Sequence, residues 1–468
     1  MTDPFSDKTG VAALIARYDT HAPRYTSYPT AASFTAEVGA ATWAQWLSQA
    51  PLTPAASLYV HIPFCKRLCW YCGCNTRAVN RAETISAYVD LLLKEADLVL
   101  AAAGRPIPIA SIHFGGGTPN MLSPDDLMKL FGGLADRFEI SPVADIAMEM
   151  DPEVLSDEFI ATCGRIGLTR ASLGVQDLSP HVQAAVNRPE SFASIQRAVE
   201  ALRAQGVVSI NLDLMYGLPL QGVSEMIDTL EAVTTLRPER LALFGYAHVP
   251  WMKSHQRLIR DEDLPGPEVR FAQARAAEAF LAESGWTEIG LDHFALPHDD
   301  LAAAHRAGRL RRNFQGYVTD EAPTLIGLGA SAISRTPLGH VQNTAVERDW
   351  RAAIGSGNLA SHRGVVLSDQ DRLIGEAIER LMCDLALDTP ELLARHAIAH
   401  EGATPPSLGD LSGRLQPFVE DGLIRIDTQG RLSVTPRGRP FVRAVCAAFD
   451  PHAQPRVDSQ QKRHARVI

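Results

Sequence analysis

The sequence predicts an α/β protein built on a partial (βα)6, TIM-like barrel with an open side. An N-terminal arm precedes the barrel, and a mostly helical, winged-helix-like unit follows it. Two observations predict this. From Leu58 onward, short apolar, β-branched runs alternate six times with stretches of helical periodicity; strict βα alternation implies parallel strands joined by right-handed crossovers. Six units fall short of the eight of a closed barrel. The residues with chemistry to offer also fall at or near the C-terminal ends of those strands, where (βα) barrels keep their active sites. A doubly wound sheet is the structural alternative.

Residues 1–57 read as the arm, with a short predicted helix (Val11–Tyr18) running into ARYDTHAPRYTSYPT at Ala16–Thr30. A polar terminal segment is ordinarily a surface linker, but Arg24, Tyr18, Tyr25 and Tyr28 make this one unusually sticky. Residues 58–365 read as the barrel with its extensions. Its first strand is predicted at Leu58–Ile62 and is stopped by Pro63, with a helix near Glu83–Leu100. A strand predicted at Ser111–Gly115 leads to a helix over Pro124–Phe138, for which Ser123 is the N-cap. Predicted strand Asp145–Asp151 precedes helix Asp157–Ile166. Predicted strand Arg170–Gln176 precedes helices near Pro180–Val186 and Phe192–Ala204. Predicted strand Ser209–Tyr216 precedes helix Glu225–Leu236, and predicted strand Arg240–Ala247 precedes helix Pro267–Glu283. The stretches LDHFALP, RRNFQGY and the glycine-rich Gly327–Ile333 extend the core. Over residues 366–468 helices are predicted at Asp371–Leu387, Leu411–Glu420 and Phe441–Phe449, with a hairpin over Leu423–Val434.

Composition narrows the function. Hydrophobic content of 46% and charged content of 21% are those of a globular protein. No run approaches the ~18 apolar residues of a membrane span, and the N-terminus has no secretory pattern, so the expected location is the cytoplasm. A net charge of −10 argues against nucleic-acid partners. The C-terminal unit is accordingly read as a cap over a site. An anionic substrate has to be met by local arginines.

Four of the seven cysteines fall within ten residues: Cys65, Cys69, Cys72 and Cys74. The first three form C-x3-C-x2-C in the loop after the first strand. Thiolates suit zinc, copper(I) and iron–sulfur clusters. A structural zinc site wants a second paired hook, and Cys163, Cys383 and Cys446 are scattered. Three thiolates on an iron–sulfur cluster leave one iron without a protein ligand. Glycines and carboxylates mark the neighbouring strand ends: Gly115–Thr118, Glu149 with Asp151, Gln176, Asp213, and Tyr246–His248. Glycine there permits close backbone approach to a ligand, against a bland reading as a tight turn. Carboxylates in mostly apolar strands are costly unless partnered.

The stretches HIPFCKRLCWYCGCN, ARYDTHAPRYTSYPT, NFQGY and the terminal RVI resemble the oxygen-independent coproporphyrinogen III oxidases, a branch of the radical S-adenosylmethionine (SAM) enzymes. The resemblance implies a radical SAM barrel and one [4Fe-4S] cluster on Cys65, Cys69 and Cys72, with SAM on the fourth iron. It implies that Tyr71 packs near SAM and that Gly116, Gly117 and Thr118 meet its amino group. Tyr59, Glu149 and Ile333 belong to the same SAM. Gln176, Arg188, Asp213 and Ala247 match positions for a second SAM. The implied substrate is coproporphyrinogen III, with two propionates becoming vinyls, an unidentified electron donor and acceptor, and a monomeric enzyme. Cys74 and Gln315 are the catalytic candidates. Cys74 is expected to be no cluster ligand and to turn away at Gly73. Arg311, Arg312, Asn313 and Gln315 are candidates for carboxylate recognition. His61 reads as an iron ligand or, the commoner case, as a packing or hydrogen-bonding residue beside the cysteine loop. Two alternatives stand beside this reading: a haem chaperone sharing the cysteine motif, and an iron–sulfur regulator using the C-terminal wing.

Overall fold

The computed structural model describes residues 8–398, 407–453 and 465–468. Six strands, Ala56–Ile62, Pro108–Gly116, Glu139–Met150, Arg170–Gln176, Ser209–Tyr216 and Arg240–Gly245, lie side by side in chain order, all parallel. That order never reverses, so the winding is that of a barrel and not of a doubly wound sheet. A seventh parallel strand, Leu325–Leu328, pairs with the free edge of the first. Antiparallel strands extend both ends: Ile333–Thr336, Gly339–Asn343 and Ser361–Val366 beyond the seventh, His293–Ala295 and Thr287–Ile289 beyond the sixth. The sheet ends in two edges and leaves the barrel open.

Strand periodicity separates two chemistries. Leu58, Val60 and Ile62, Ile112 and Phe114, Leu173 and Val175, and Leu212 and Leu214 pack into one core with the helices. The alternate residues are polar and find partners on the other face. Ser57 and Ser111 both donate to Asp320, Arg170 pairs with Asp145, and Arg240 pairs with Asp299 at 2.8 Å. The helix predicted from Pro124 runs to Ala135, and Ser123 caps it by accepting from the Asp126 N–H. The sixth strand stops at Gly245, so Tyr246, Ala247 and His248 lie in the loop beyond it.

The arm differs from its linker reading. Helix Ala40–Gln49, which the sequence reading passed over, buries Trp43, Trp46 and Leu47 in the main core. Leu14, Ile15, Tyr18, Tyr25 and Tyr28 share a second core with helices Asp369–Asp384, Ser412–Glu420 and Val442–Phe449. Tyr18 donates to Asp421 at 2.6 Å, and Tyr25 and Tyr28 both donate to Asp450. The predicted hairpin is present as Ile424–Ile426 and Arg431–Val434, joined by Ala386–Asp388 in a three-stranded sheet. Helix Thr389–Ile398 was not foreseen.

Candidate active site

The cysteine loop is pinned at both ends. After Pro63 the chain pairs Phe64–Cys65 with Arg77–Ala78, and the Pro63 carbonyl accepts from the Arg77 N–H at 3.0 Å. Between these ends the loop's carbonyls are held from other elements. Asn187 donates to Leu68 O (3.1 Å), Gln256 to Tyr71 O (2.9 Å), His255 to Cys72 O (2.8 Å) and Lys253 to Cys74 O (2.8 Å). The loops after strands four and six thus clamp the loop after strand one.

A cavity of about 170 Å³ opens above the strand ends. Cys65, Cys69, Cys72, Cys74, Tyr71, Gly116, Gly117, Thr118, Glu149, Gln176, Arg188 and Asp213 all line it. The Cys65 sulfur accepts from Thr118 Oγ1 at 3.4 Å and shares a 3.0 Å bond with Thr76. Arg188 Nη1 approaches the Cys69 sulfur at 3.7 Å. Burial pushes the Cys65 and Cys69 thiols up, and these donors work against it. A hydrogen bond from Cys74 draws the Cys72 thiol down to about 7. Cys74 therefore does not turn away at Gly73: it lines the same cavity and reaches Cys72.

The glycines are sterically required. A Cβ on Gly115 would stand 2.8 Å from Glu149 Oε1, and one on Gly117 would stand 2.7 Å from the Phe64 carbonyl. Gly116, at φ 114°, lies against the His61 ring, and its N–H donates to Glu149 at 3.0 Å. Burial alone would raise the Glu149 carboxyl; His113 at 3.2 Å and the Gly116 N–H outweigh it and hold the group below its usual range. Asp213 accepts from Ser172 and Asn211, both at 2.8 Å, yet burial pushes it up. Arg188 is enclosed by Asp151 (3.3 Å), Glu190 (3.6 Å) and the Gly174 carbonyl (2.8 Å). His113 and Ser172 went unnoticed in the sequence, although the period-2 face of their strands points to both.

The remaining candidates stand apart. Tyr59 lies just behind the glycine loop, its hydroxyl 3.0 Å from His61 Nδ1 and its ring stacked on His113. Ile333 sits two strands away; its carbonyl backs onto Gly327, the ladder partner of Tyr59. Ala247 lines a different cavity with Arg24, Arg270 and Arg443. Gln315 is at the tip of the hairpin Arg311–Asn313 and Gly316–Val318, where its N–H donates to the Asn313 side chain. Arg311 is paired with Glu379 at 3.0 Å, while Arg312 stacks over the Tyr317 ring at 4.3 Å.

The donor set fits a cluster better than a single ion. Zinc needs sulfurs about 2.3 Å from one point. Among the described residues no three Cys, His, Asp or Glu side chains are close enough to hold one ion, yet four thiols line one cavity, and Cys65 and Cys69 carry hydroxyl and guanidinium partners of the kind that support thiolate ligation.

Residues 59–233 match the Radical SAM superfamily. The chain is 45% identical to the oxygen-independent coproporphyrinogen III oxidase of Bradyrhizobium diazoefficiens over 95% of its length and 97% of that protein. It is 36% identical to the enzyme of the same name from Escherichia coli, over 97% of its length and 98% of that protein. The solved structure of the E. coli coproporphyrinogen III oxidase HemN, described as a radical SAM enzyme, superposes with a TM-score of 0.85 at 35% identity, covering 94% of this chain and 98% of that one. With so nearly full-length a match added to a three-thiol loop at the mouth of an open barrel, the chain belongs to the oxygen-independent coproporphyrinogen III oxidases, within the radical SAM superfamily.

Proposed function

We infer that the chain converts coproporphyrinogen III to protoporphyrinogen IX without oxygen, turning two propionates into vinyl groups. The observation that carries this reading is the thiol-lined cavity in a chain that aligns along nearly its whole length with oxidases of that name. The C–H bond to be broken, on the β-carbon of each of these two propionates beside the ring, is far too weakly acidic for a side-chain base. A [4Fe-4S] cluster on Cys65, Cys69 and Cys72, together with SAM, would supply the radical chemistry that removes such a hydrogen. Each propionate then loses CO2 and one electron, which passes to an acceptor that is not identified, as is the donor that first reduces the protein.

The chain's own groups bind and orient. Cys65, Cys69 and Cys72 hold the cluster. Gly116, Gly117 and Thr118 give SAM a backbone edge with no side chain in the way. Glu149 is kept ionised by His113 and Gly116, which suits it to a sulfonium or to ribose hydroxyls. Tyr59, Tyr71 and Ile333 flank the same SAM. Gln176, Arg188, Asp213 and Ala247 are assigned to a second SAM; in the first three, proximity to the cavity supports this, whereas Ala247 lines a neighbouring one. Cys74 and Gln315 are assigned to the substrate side. The protein acts as a monomer in the cytoplasm; no described helix is long and apolar enough to cross a membrane.

Anaerobic reconstitution followed by dithionite, SAM and coproporphyrinogen III tests the reading. About four irons per chain, 5′-deoxyadenosine, and a product with two vinyl groups are expected. SAM cleavage with no change in the tetrapyrrole would refute it.

A further inference from the structure

A crevice of about 560 Å³ lies between the arm, the RRNFQGY hairpin, strand Ile333–Thr336 and helix Asp369–Asp384. Part of its wall is aromatic and apolar, with Tyr25, Tyr28, Phe314 and Leu325. Its size is that of a small-molecule site. Its acids are occupied: Glu379 pairs with Arg311 at 3.0 Å, Glu376 with Arg395 at 2.7 Å and His396 at 2.8 Å, and Asp371 closes a helix cap with Ser368.

Two guanidiniums in the wall are less fully paired. Arg335 donates one bond, from Nη2 to the Ala322 carbonyl at 2.8 Å, and its buried Nε has no partner. Among the described residues no carboxylate lies within ion-pair distance of Arg335. The Arg312 side chain is 4% exposed; its Nη2 donates to the Arg24 carbonyl at 3.3 Å and its Nη1 makes a long ion pair with Asp292 at 4.0 Å, while Nε and Nη1 lack hydrogen bonds. Buried charges are ordinarily paired. A crevice with apolar walls and under-paired guanidiniums matches a ligand with an apolar body and carboxylate arms.

The crevice also opens near the N-terminal end of the first strand, whose other end carries the cysteine loop. Arg335 is two residues beyond Ile333 on the same side of one strand, about 7 Å along. Leu325 pairs with both Arg335 and Ser57, and two residues on Gly327 pairs with Tyr59. Tyr59 and Glu149 converge over Gly115.

We propose that Arg335, with Arg312, binds a propionate carboxylate that the substrate keeps, and so sets which side chains face the cysteine cavity. This rests on the function inferred above. The test is steady-state turnover of coproporphyrinogen III by the reconstituted wild type, Arg335→Gln and Arg335→Lys, with fluorescence titration of coproporphyrin III and its tetramethyl ester. Arg335→Gln is expected to raise KM about tenfold to a hundredfold, the loss of a charge-assisted pair. Iron content and substrate-free SAM cleavage should stay unchanged. Arg335→Lys should fall between, because it keeps the charge and loses the fork. The wild type should bind the acid far more tightly than the ester, and that preference should shrink in Arg335→Gln. An unchanged KM in Arg335→Gln, or an unchanged acid-to-ester preference, overturns the proposal while leaving the function intact. A wild type that makes no vinyl product and prefers neither acid nor ester overturns both. Should Arg335→Gln melt early, Arg335→Met at equal volume decides by the same acid-to-ester ratio.

Discussion

Gln256 is the side chain whose loss should expose how the cysteine loop is held. It is 1% exposed and sits in the loop after the sixth strand. Its amide nitrogen donates to Tyr71 O at 2.9 Å and to Ala247 O at 3.2 Å, while its carbonyl accepts from the Val249 N–H at 2.6 Å. Gln256→Ala strands two carbonyls and one N–H in a buried place. At about 1 kcal/mol for each, and more for a group left wholly unsatisfied, the cost is about 3 kcal/mol. That cost falls on one joint, the contact between two loops, so it should appear as local opening before global unfolding. His255 and Lys253 hold Cys72 O and Cys74 O from the same segment and should loosen with it. The assay is the rate at which a chelator strips iron from anaerobic holoprotein, followed by loss of cluster absorbance. The expected result is a stripping rate at least tenfold faster in Gln256→Ala, with Gln256→Glu no better because a carboxylate cannot donate to two carbonyls. A rate equal to wild type would show that the clamp does not hold the loop, and the argument from these bonds would be wrong.

Cys72→Ser should lose its cluster, whereas Cys74→Ser should keep about four irons per chain; a Cys74→Ser protein that cannot assemble its cluster overturns the three-ligand assignment. Gly117→Ala brings a Cβ within 2.7 and 2.9 Å of Phe64 backbone atoms, an overpacking cost of about 1–3 kcal/mol that should shift Cys65 and lower cluster content. Gly73→Ala meets nothing within 4 Å and should assemble normally; equal iron in both variants would refute the steric account. Burial raises the Glu95 carboxyl from 4.5 to about 7 against bonds from Gly329, Trp350 and Asn343. Between those values the unfolded chain has released a proton that the folded chain keeps, so this group's contribution to stability falls as pH rises from about 4.5 to 7. Thermal melts across that range should show a shallower decline in Glu95→Gln than in wild type, and identical slopes would count against a protonated Glu95.

What could be read from the sequence was local, and what could not was paired at a distance. The six strands announced themselves by period, and Ser123 by its place before Pro124 and two aspartates. The cysteine loop was legible because ligand spacing is a short-range constraint. Helix Ala40–Gln49 was also legible in principle, since Trp43, Trp46 and Leu47 stand three and four apart; its place in a terminal segment that reads as a surface linker hid it. Strand Leu325–Leu328 was not legible. It has four residues, and it is a strand because Leu58 and Val60 lie beside Ile326 and Leu328. The arm is the same case, because the bond from Tyr18 to Asp421 spans 403 residues.

The candidate site divides along the same line. Thiols and glycines carry a pattern, because the ligand constrains neighbours in sequence. The clamps do not, because Gln256, His255 and Lys253 bind backbone carbonyls that any residue would offer. Cys74 shows the consequence. Gly73 permits the chain to turn either way, with nothing within 4 Å of where a Cβ would stand, so local sequence left the thiol's direction undecided. Lys253, held in a loop 179 residues away, donates to the Cys74 carbonyl, and Cys74 faces Cys72 in that clamped loop. If that clamp sets the direction, Lys253→Met should free the Cys74 thiol from Cys72. The Cys72 thiol is drawn down by Cys74 and also by the Lys253 charge, so in the metal-free protein Lys253→Met should slow its alkylation near neutral pH by more than the same change does in a Cys74→Ala background. An equal slowing in both backgrounds would mean that the turn at residues 72–74 is decided within the loop itself.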